Sequence, residues 1–199
     1  MSEEHHVFHN PLRVAVVGAS GGIGNAIVDA LENGSAGQEL SVGELYAFAR
    51  NPDRVDAVRA QQLPIDVLDE SSIANAAQTA TASKPLDLVI VCTGLLHRGD
   101  EIRPEKSLRE LHAENMAEVF AVNSVAPAII AKHFLPTLRK THKTVFAVLS
   151  ARVGSIDDNR LGGWASYRAS KAALNMLLRT FAIEHRRHNP GSVIAALHP

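Results

Sequence analysis

Tyr167 and Lys171 stand four positions apart in the run Tyr167-Arg168-Ala169-Ser170-Lys171. The surrounding pattern, Ala165 to Arg187, predicts a helix. On a helix this spacing sends the phenol and the ammonium out of one face, one turn apart. A tyrosine titrates near pH ~10 in water, and a fixed cation beside it favours the phenolate and so lowers that value. A proton donor tuned toward neutral pH is what reduction of a carbonyl requires. Tyrosine and lysine meet at this spacing on many solvated helices, so the pair gains meaning only from the elements that position it.

The first such element lies near the other end of the chain. Arg13 to Val17 is a short β-branched run that suits a buried strand. It leads directly into Gly18-Ala19-Ser20-Gly21-Gly22-Ile23-Gly24, followed by a helical pattern through Leu31. Strand, glycine turn and helix in that order make a nucleotide phosphate site: glycines allow close backbone approach, and the helix N-terminus offers unpaired N–H groups to a pyrophosphate. The next strand, Glu44 to Ala49, follows a connector over residues 33–43 and ends at Arg50. Many folds of this kind place an acid there for the ribose 2′-hydroxyl. An arginine cannot accept that bond but can pair with a 2′-phosphate, which favours NADP(H) over NAD(H).

Leu63 to Val67 reads as a third strand, and Asp66 at its end either contacts an adenine or caps the helix expected over Asp69 to Ala82. Leu86 to Cys92 is a nearly unbroken apolar strand that ends in the small-residue turn Thr93-Gly94. Glu105 to Leu138 carries helical periodicity, expected as two consecutive helices. Pro127 should disturb the second, because it removes an N–H. Thr144 to Leu149 is a fifth strand, and Ser150 at its carboxyl end faces the crevice where open α/β sheets bind ligands. A loop over Ser155 to Trp164 precedes the helix of Tyr167, and Ser192 to Leu197 forms a sixth strand. The alternation predicts an α/β doubly wound, three-layer parallel sheet of the Rossmann type, covered on both faces.

Composition narrows the function classes. Twenty Lys and Arg against 21 Asp and Glu leave a net charge of -1, so no basic excess calls for nucleic acid. The single cysteine, Cys92, has no partner for an intrachain disulfide, which fits a reducing, cytoplasmic setting. The apolar stretch Val125 to Leu135 holds Pro127, Lys132 and His133 and is too short to span a bilayer, so no membrane partner is expected. His5, His6 and His9 fall in a polar arm expected to be loose over residues 1–12, and neither they nor the other histidines show metal-ligand spacing.

Gly18 to Gly24, Asp66-Val67, Asn123, Ser150 and Tyr167 to Lys171, in that order, resemble the classical short-chain dehydrogenase/reductase family. Ala151 to Ile156 and Asp158 to Trp164 further resemble its C-factor and sniffer-like carbonyl reductase branch. The resemblance implies one NAD(P)-binding domain over 13–199 and hydride transfer between NADP(H), or NAD(H), and a small carbonyl or alcohol. It implies that Tyr167 gives a proton to the carbonyl oxygen and that Lys171 lowers the phenol's pKa and binds the nicotinamide ribose. Ser150 would hold the carbonyl oxygen, and Asn123 would position a water for proton resupply. The implied cofactor contacts are Gly18, Ser20, Gly21, Gly22, Ile23, Gly24, Arg50, Asp66, Val67, Thr93, Gly94, Tyr167 and Lys171.

Three departures accompany the resemblance. The family's Asn-Asn-Ala-Gly after the fourth strand appears as Val91-Cys92-Thr93-Gly94, and the span from Ser150 to Tyr167 is long. Family members also continue past the sixth strand with a threonine that contacts the nicotinamide, a covering segment and a seventh strand, so the domain is expected to be C-terminally short. Loss of that region would make a tetramer doubtful and leave a homodimer through the long helices, 114–138 and 165–187. The residues leave open a second class, a dinucleotide-binding signalling or sensing protein with little turnover. An extended-type epimerase shares the Tyr–Lys spacing but has a different glycine turn and a longer substrate domain.

Overall fold

A computed structural model describes residues 7–34 and 40–199. Six parallel strands form one sheet in the order β3-β2-β1-β4-β5-β6. They are β1 (Leu12–Val17), β2 (Val42–Ala49), β3 (Gln61–Pro64), β4 (Leu88–Val91), β5 (Thr144–Leu149) and β6 (Ser192–Leu197). The chain order reverses between β1 and β4, and the crevice outside their carboxyl ends is where such sheets take ligands. β1 is buried along its whole length, as its unbroken apolar run requires.

One face of the sheet is covered by α2 (Glu70–Thr81), α3 (Ala113–Phe120), α4 (Ala126–Phe134) and α5 (Ala165–His185). Phe48, Phe134, Phe146, Ile130 and Leu174 form the core there. The opposite face carries α1 (Gly22–Glu32), packed on Val14, Val16, Leu45 and Ala47. Coverage of both faces is therefore uneven among the described residues: on β6, Val193 and Leu197 stay more than two fifths exposed.

Several boundaries differ from expectation for physical reasons. β3 begins and ends earlier than expected: Pro64 still pairs with Ala49 on this edge strand and the Ile65 N–H donates to the Ala49 carbonyl, but the Asp66 N–H turns to Ser72 Oγ at 2.9 Å, so Asp66 and Val67 sit in the loop beyond it. Residues 105–112 are extended apart from a single 3₁₀ turn at Leu108–Glu110. The predicted disturbance at Pro127 is a π-helical turn, Ala121–Val125, immediately before the proline. Together these pieces give a helical run, Ala113–Thr137, of 25 residues, longer than the stretch 125–135 suggested. It is long and apolar enough to cross a membrane, but it buries Val119, Ile130 and Phe134 against the sheet and its neighbours, as a core helix does.

Residues 7–12 of the expected loose arm are tied down. Lys143 N–H donates to the Val7 carbonyl at 2.9 Å, the Lys143 ammonium lies 5.2 Å from the Phe8 ring centre, and Leu12 already belongs to β1. His5 and His6 lie outside the described residues.

At the amino end of the sheet, Asp87 is fully buried. Its carboxylate accepts the Arg13 N–H at 2.9 Å and the Arg139 Nε–H at 2.6 Å. Asp87 thereby fastens β1, the start of β4 and the segment that enters β5. A buried charge that loses its partner is strongly destabilising, so Asp87→Ala should cost about 3–5 kcal/mol in urea unfolding. A loss below about 1 kcal/mol would show that the pair does not hold the sheet.

Candidate active site

The glycine turn works because two of its residues have no room for a side chain. Gly18 has φ +86°, and a Cβ there would sit 3.0 Å from the Thr93 nitrogen. A Cβ on Gly24 would overlap the Gly18 carbonyl oxygen. α1 then begins with Gly21 as its N-cap, with no side-chain cap and no acid in the first turn. Its leading N–H groups, on Gly22, Ile23 and Gly24, thus remain available at the positive end of the helix dipole.

A cleft runs from this turn along the carboxyl ends of the strands. Gly18, Ser20 and Gly21 line one end, Arg50, Asp66, Val67 and Leu68 one wall, and Thr93, Gly94 and Val122 the other. Arg50 is exposed and has no ion pair among the described residues. Asp66 shapes its loop: its carboxylate accepts the Leu68 N–H at 3.0 Å, and the cap on α2 is Asp69 instead. Thr93 Oγ1 is buried without a hydrogen-bond partner among the described residues.

At the far end of the cleft Gly94 separates it from the helix α5. A Cβ on Gly94 would lie 3.7 Å from both Lys171 Nζ and Asn123 Oδ1. Lys171 is 2 % exposed; its Nζ donates to the Leu149 carbonyl at 2.9 Å and lies 5.8 Å from the centre of the Tyr167 ring. Ser150, at the end of β5, donates its hydroxyl to Asn175 Oδ1 at 2.7 Å. Asn123, Ser150 and Lys171 thus stand at the ends of β4 and β5, and Tyr167 joins them through its contact with Lys171.

Two of their roles differ from expectation. Burial pushes the Lys171 amine down to about 8 and pushes the Tyr167 phenol up from its ordinary value. In the chain by itself, desolvation therefore outweighs the expected lowering of the phenol by its cation. Asn123 is fully buried. Its Nδ2 donates to the Leu95 carbonyl at 2.9 Å and to Ser170 Oγ at 3.1 Å, and its Oδ1 accepts the Leu95 N–H at 2.7 Å. Both amide protons are committed, so a water can meet this side chain only at the remaining lone pair of Oδ1.

Sequence reasoning missed the residues that hold α5 in place. Glu105 is buried and accepts bonds from the Ser166 hydroxyl and, at 3.3 Å, the Ser166 N–H, while its carbonyl accepts the Trp164 N–H at 2.5 Å. A carboxylate at a helix N-terminus is favourable for both capping and dipole reasons. Gly154 lets the loop after β5 touch the helix, since a Cβ there would be 2.9 Å from Lys171 C and Cβ. Ser170 accepts from Asn123, and its carbonyl accepts the Ser124 hydroxyl at 2.7 Å. The glycine in the Ser150–Gly154 segment was the only visible signal of any of these.

Residues 13–197 match the family described as short chain dehydrogenase. The chain belongs to that family. It is 36% identical over 93 residues to C-signal of Myxococcus xanthus, a match covering 47% of this chain and 55% of that protein. The NADPH-bound carbonyl reductase from chicken fatty liver superposes with a TM-score of 0.79 at 28% identity, over 96% of this chain and 80% of that one. Carbonyl reductase Sniffer of D. melanogaster, at 20% identity, shares the fold with a TM-score of 0.80 over 96% and 81% of the two chains. The chain spans 55%, 66% and 65% of the first three curated relatives it matches.

This short-chain dehydrogenase site fits a dinucleotide: an uncapped helix N-terminus, a turn kept free of side chains, and an unpartnered Thr93 hydroxyl line one cleft. Gly24→Ala should abolish nucleotide binding in a fluorescence titration, because a Cβ there meets backbone; near-normal affinity would refute the cradle. Lys171 supplies a second measurement. Its pKa falls from 10.5 to about 8 on folding, so the unfolded chain binds more protons within that window and stability rises with pH there. Lys171→Met should remove up to about 3 kcal/mol of that rise, read as the difference between the two chains' urea midpoints across the window. Parallel curves would mean that the amine is not desolvated.

Proposed function

We propose that the chain catalyses hydride transfer between NADP(H) and a carbonyl or alcohol substrate. The observation that carries this reading is a cleft that starts at the glycine turn and reaches Gly94, behind which stand Asn123 and Lys171, the latter with its amine 5.8 Å from the centre of the Tyr167 ring. A nucleotide with its phosphates at α1 has its reactive end directed toward the buried Lys171 amine and the phenol next to it.

The nicotinamide, when bound, supplies or accepts the hydride. In the reductive direction Tyr167 gives its phenolic proton to the substrate oxygen. Lys171, charged at neutral pH with a pKa of about 8, stabilises the resulting phenolate. Asn123 and Leu95 fix the floor of the site, and Ser150 fixes the position of the oxygen. Arg50 supports NADP(H): it is exposed, without an ion pair among the described residues, and stands on the cleft wall where a 2′-phosphate can meet it. A cytoplasmic setting and a homodimer paired through the helical run 113–137 and α5 belong to the same proposal. Met176 and Ile183 support the pairing by leaving apolar surface exposed on α5.

Two outcomes are expected. Tyr167→Phe should lower turnover on small aldehydes and ketones by about 10²–10⁴ while NADPH still binds; unchanged turnover would overturn the assignment. Arg50→Ala should weaken NADPH about tenfold or more with little effect on NADH, by fluorescence titration. Tight NADPH binding by the unaltered chain without turnover on any carbonyl would favour a dinucleotide sensor instead.

A further inference from the structure

The chain enters α5 through three consecutive left-handed residues: Gly162 at φ +64°, Gly163 at +66° and Trp164 at +52°. Glycine adopts that region freely, whereas a bulky side chain there is disfavoured. Trp164 is the one non-glycine residue with positive φ among the described residues. Its backbone is pinned from both sides: its N–H donates to the Glu105 carbonyl at 2.5 Å, and its carbonyl accepts the Arg168 N–H at 2.8 Å. Conformations that are strained yet over-determined by their surroundings cluster at functional sites. A third glycine would make the same turn without strain, so the turn alone does not account for an indole here.

The centre of that indole lies 6.4 Å from the centre of the Tyr167 ring, with the two planes at 77°. Lys171 flanks the phenol one turn further along the helix, and Gly94, at the end of the nucleotide cleft, lies against Lys171. Tyr167 thus has the amine toward one end of α5 and the indole toward the other. Trp164 keeps 40 % of its surface exposed. The two charged side chains bonded to this segment are spent on the protein itself: Glu105 on Ser166, and Arg168 on the Gly163 and Val153 carbonyls. What the turn leaves open beside the phenol is flat and apolar.

We propose that Trp164 is a specificity-determining residue, whose indole receives the ring of an aromatic ketone or aldehyde while the carbonyl oxygen takes the Tyr167 proton. The nucleotide occupies the Lys171 side of the phenol, so the remainder of the substrate extends toward the indole. Aromatic rings gain from stacked or edge-on contact beyond the area they bury, which a saturated ring of the same size cannot match. The proposal rests on the oxidoreductase reading above and narrows its substrate class.

The test compares acetophenone with cyclohexyl methyl ketone, which differ in the flatness of one six-carbon ring. Asparagine tolerates the left-handed region better than tryptophan, so Trp164→Asn removes the indole and should fold. It should lower the ratio of kcat/KM for acetophenone to that for cyclohexyl methyl ketone about fivefold, with the NADPH dissociation constant unchanged. Trp164→Phe keeps a ring and should keep most of the ratio. An equal loss on both ketones would overturn the proposal, because a residue that merely holds Tyr167 in place behaves that way; so would an unmoved ratio. A second readout needs no turnover: saturation-transfer NMR on acetophenone with NADP+, which cannot reduce it. Its ring protons should receive saturation from the unaltered chain and from Trp164→Phe, and much less from Trp164→Asn. Equal transfer in all three would remove the contact. If no chain turns over either ketone while the transfer follows the indole, the oxidoreductase reading fails and the aromatic site stands.

Discussion

The site depends on one buried ammonium. Lys171 is almost wholly withdrawn from water and has one acceptor among the described residues, the Leu149 carbonyl. Burying a charge is costly unless its surroundings compensate, and here the compensation is positional. β5 must end where Lys171 reaches it, α5 must press against that end, and the loop between them must pass without a side chain at Gly154. Asn123, Ser124 and Ser170 hold the helix from the other side. The same desolvation sets the amine near 8, so a single constraint fixes both the geometry of the site and its proton affinity.

Much of the fold was legible because it follows from periodicity and backbone chemistry. The apolar runs at β1, β5 and β6 and the glycine turn before α1 stand within a residue or so of their expected bounds. What was not legible depends on contacts distant in sequence. Residues 105–112 carry a helical pattern, yet they run extended because Glu105 is needed at the head of α5, 61 residues away from Ser166. β3 lies earlier than its apolar pattern suggested, because the chain turns out of the sheet where the Asp66 N–H takes Ser72 Oγ as its acceptor, a contact the pattern cannot show. Pro127 signalled a local irregularity, but only the packed structure shows that the irregularity is a π turn that carries Asn123 and Ser124 inward.

The site divides in the same way. The Tyr167–Lys171 spacing and the small residues at Gly18, Gly24, Thr93 and Gly94 speak for themselves, since helix geometry and close backbone approach demand those types. Asn175 continues the same stripe by one turn, but an asparagine on a helix surface carries no signal until its partner is known. Desolvation was equally invisible: adjacency of a cation and a phenol in sequence says that they interact, not which of burial and charge prevails. Here burial prevails for both groups.

Trp164 is the chain's only tryptophan. It precedes α5 in a left-handed conformation, with its indole edge-on to the Tyr167 ring and 6.4 Å between centres. All indole emission from this chain therefore originates next to the Tyr167 ring, and any absorbing molecule that settles beside the phenol is observed by a single lamp whose position is already known.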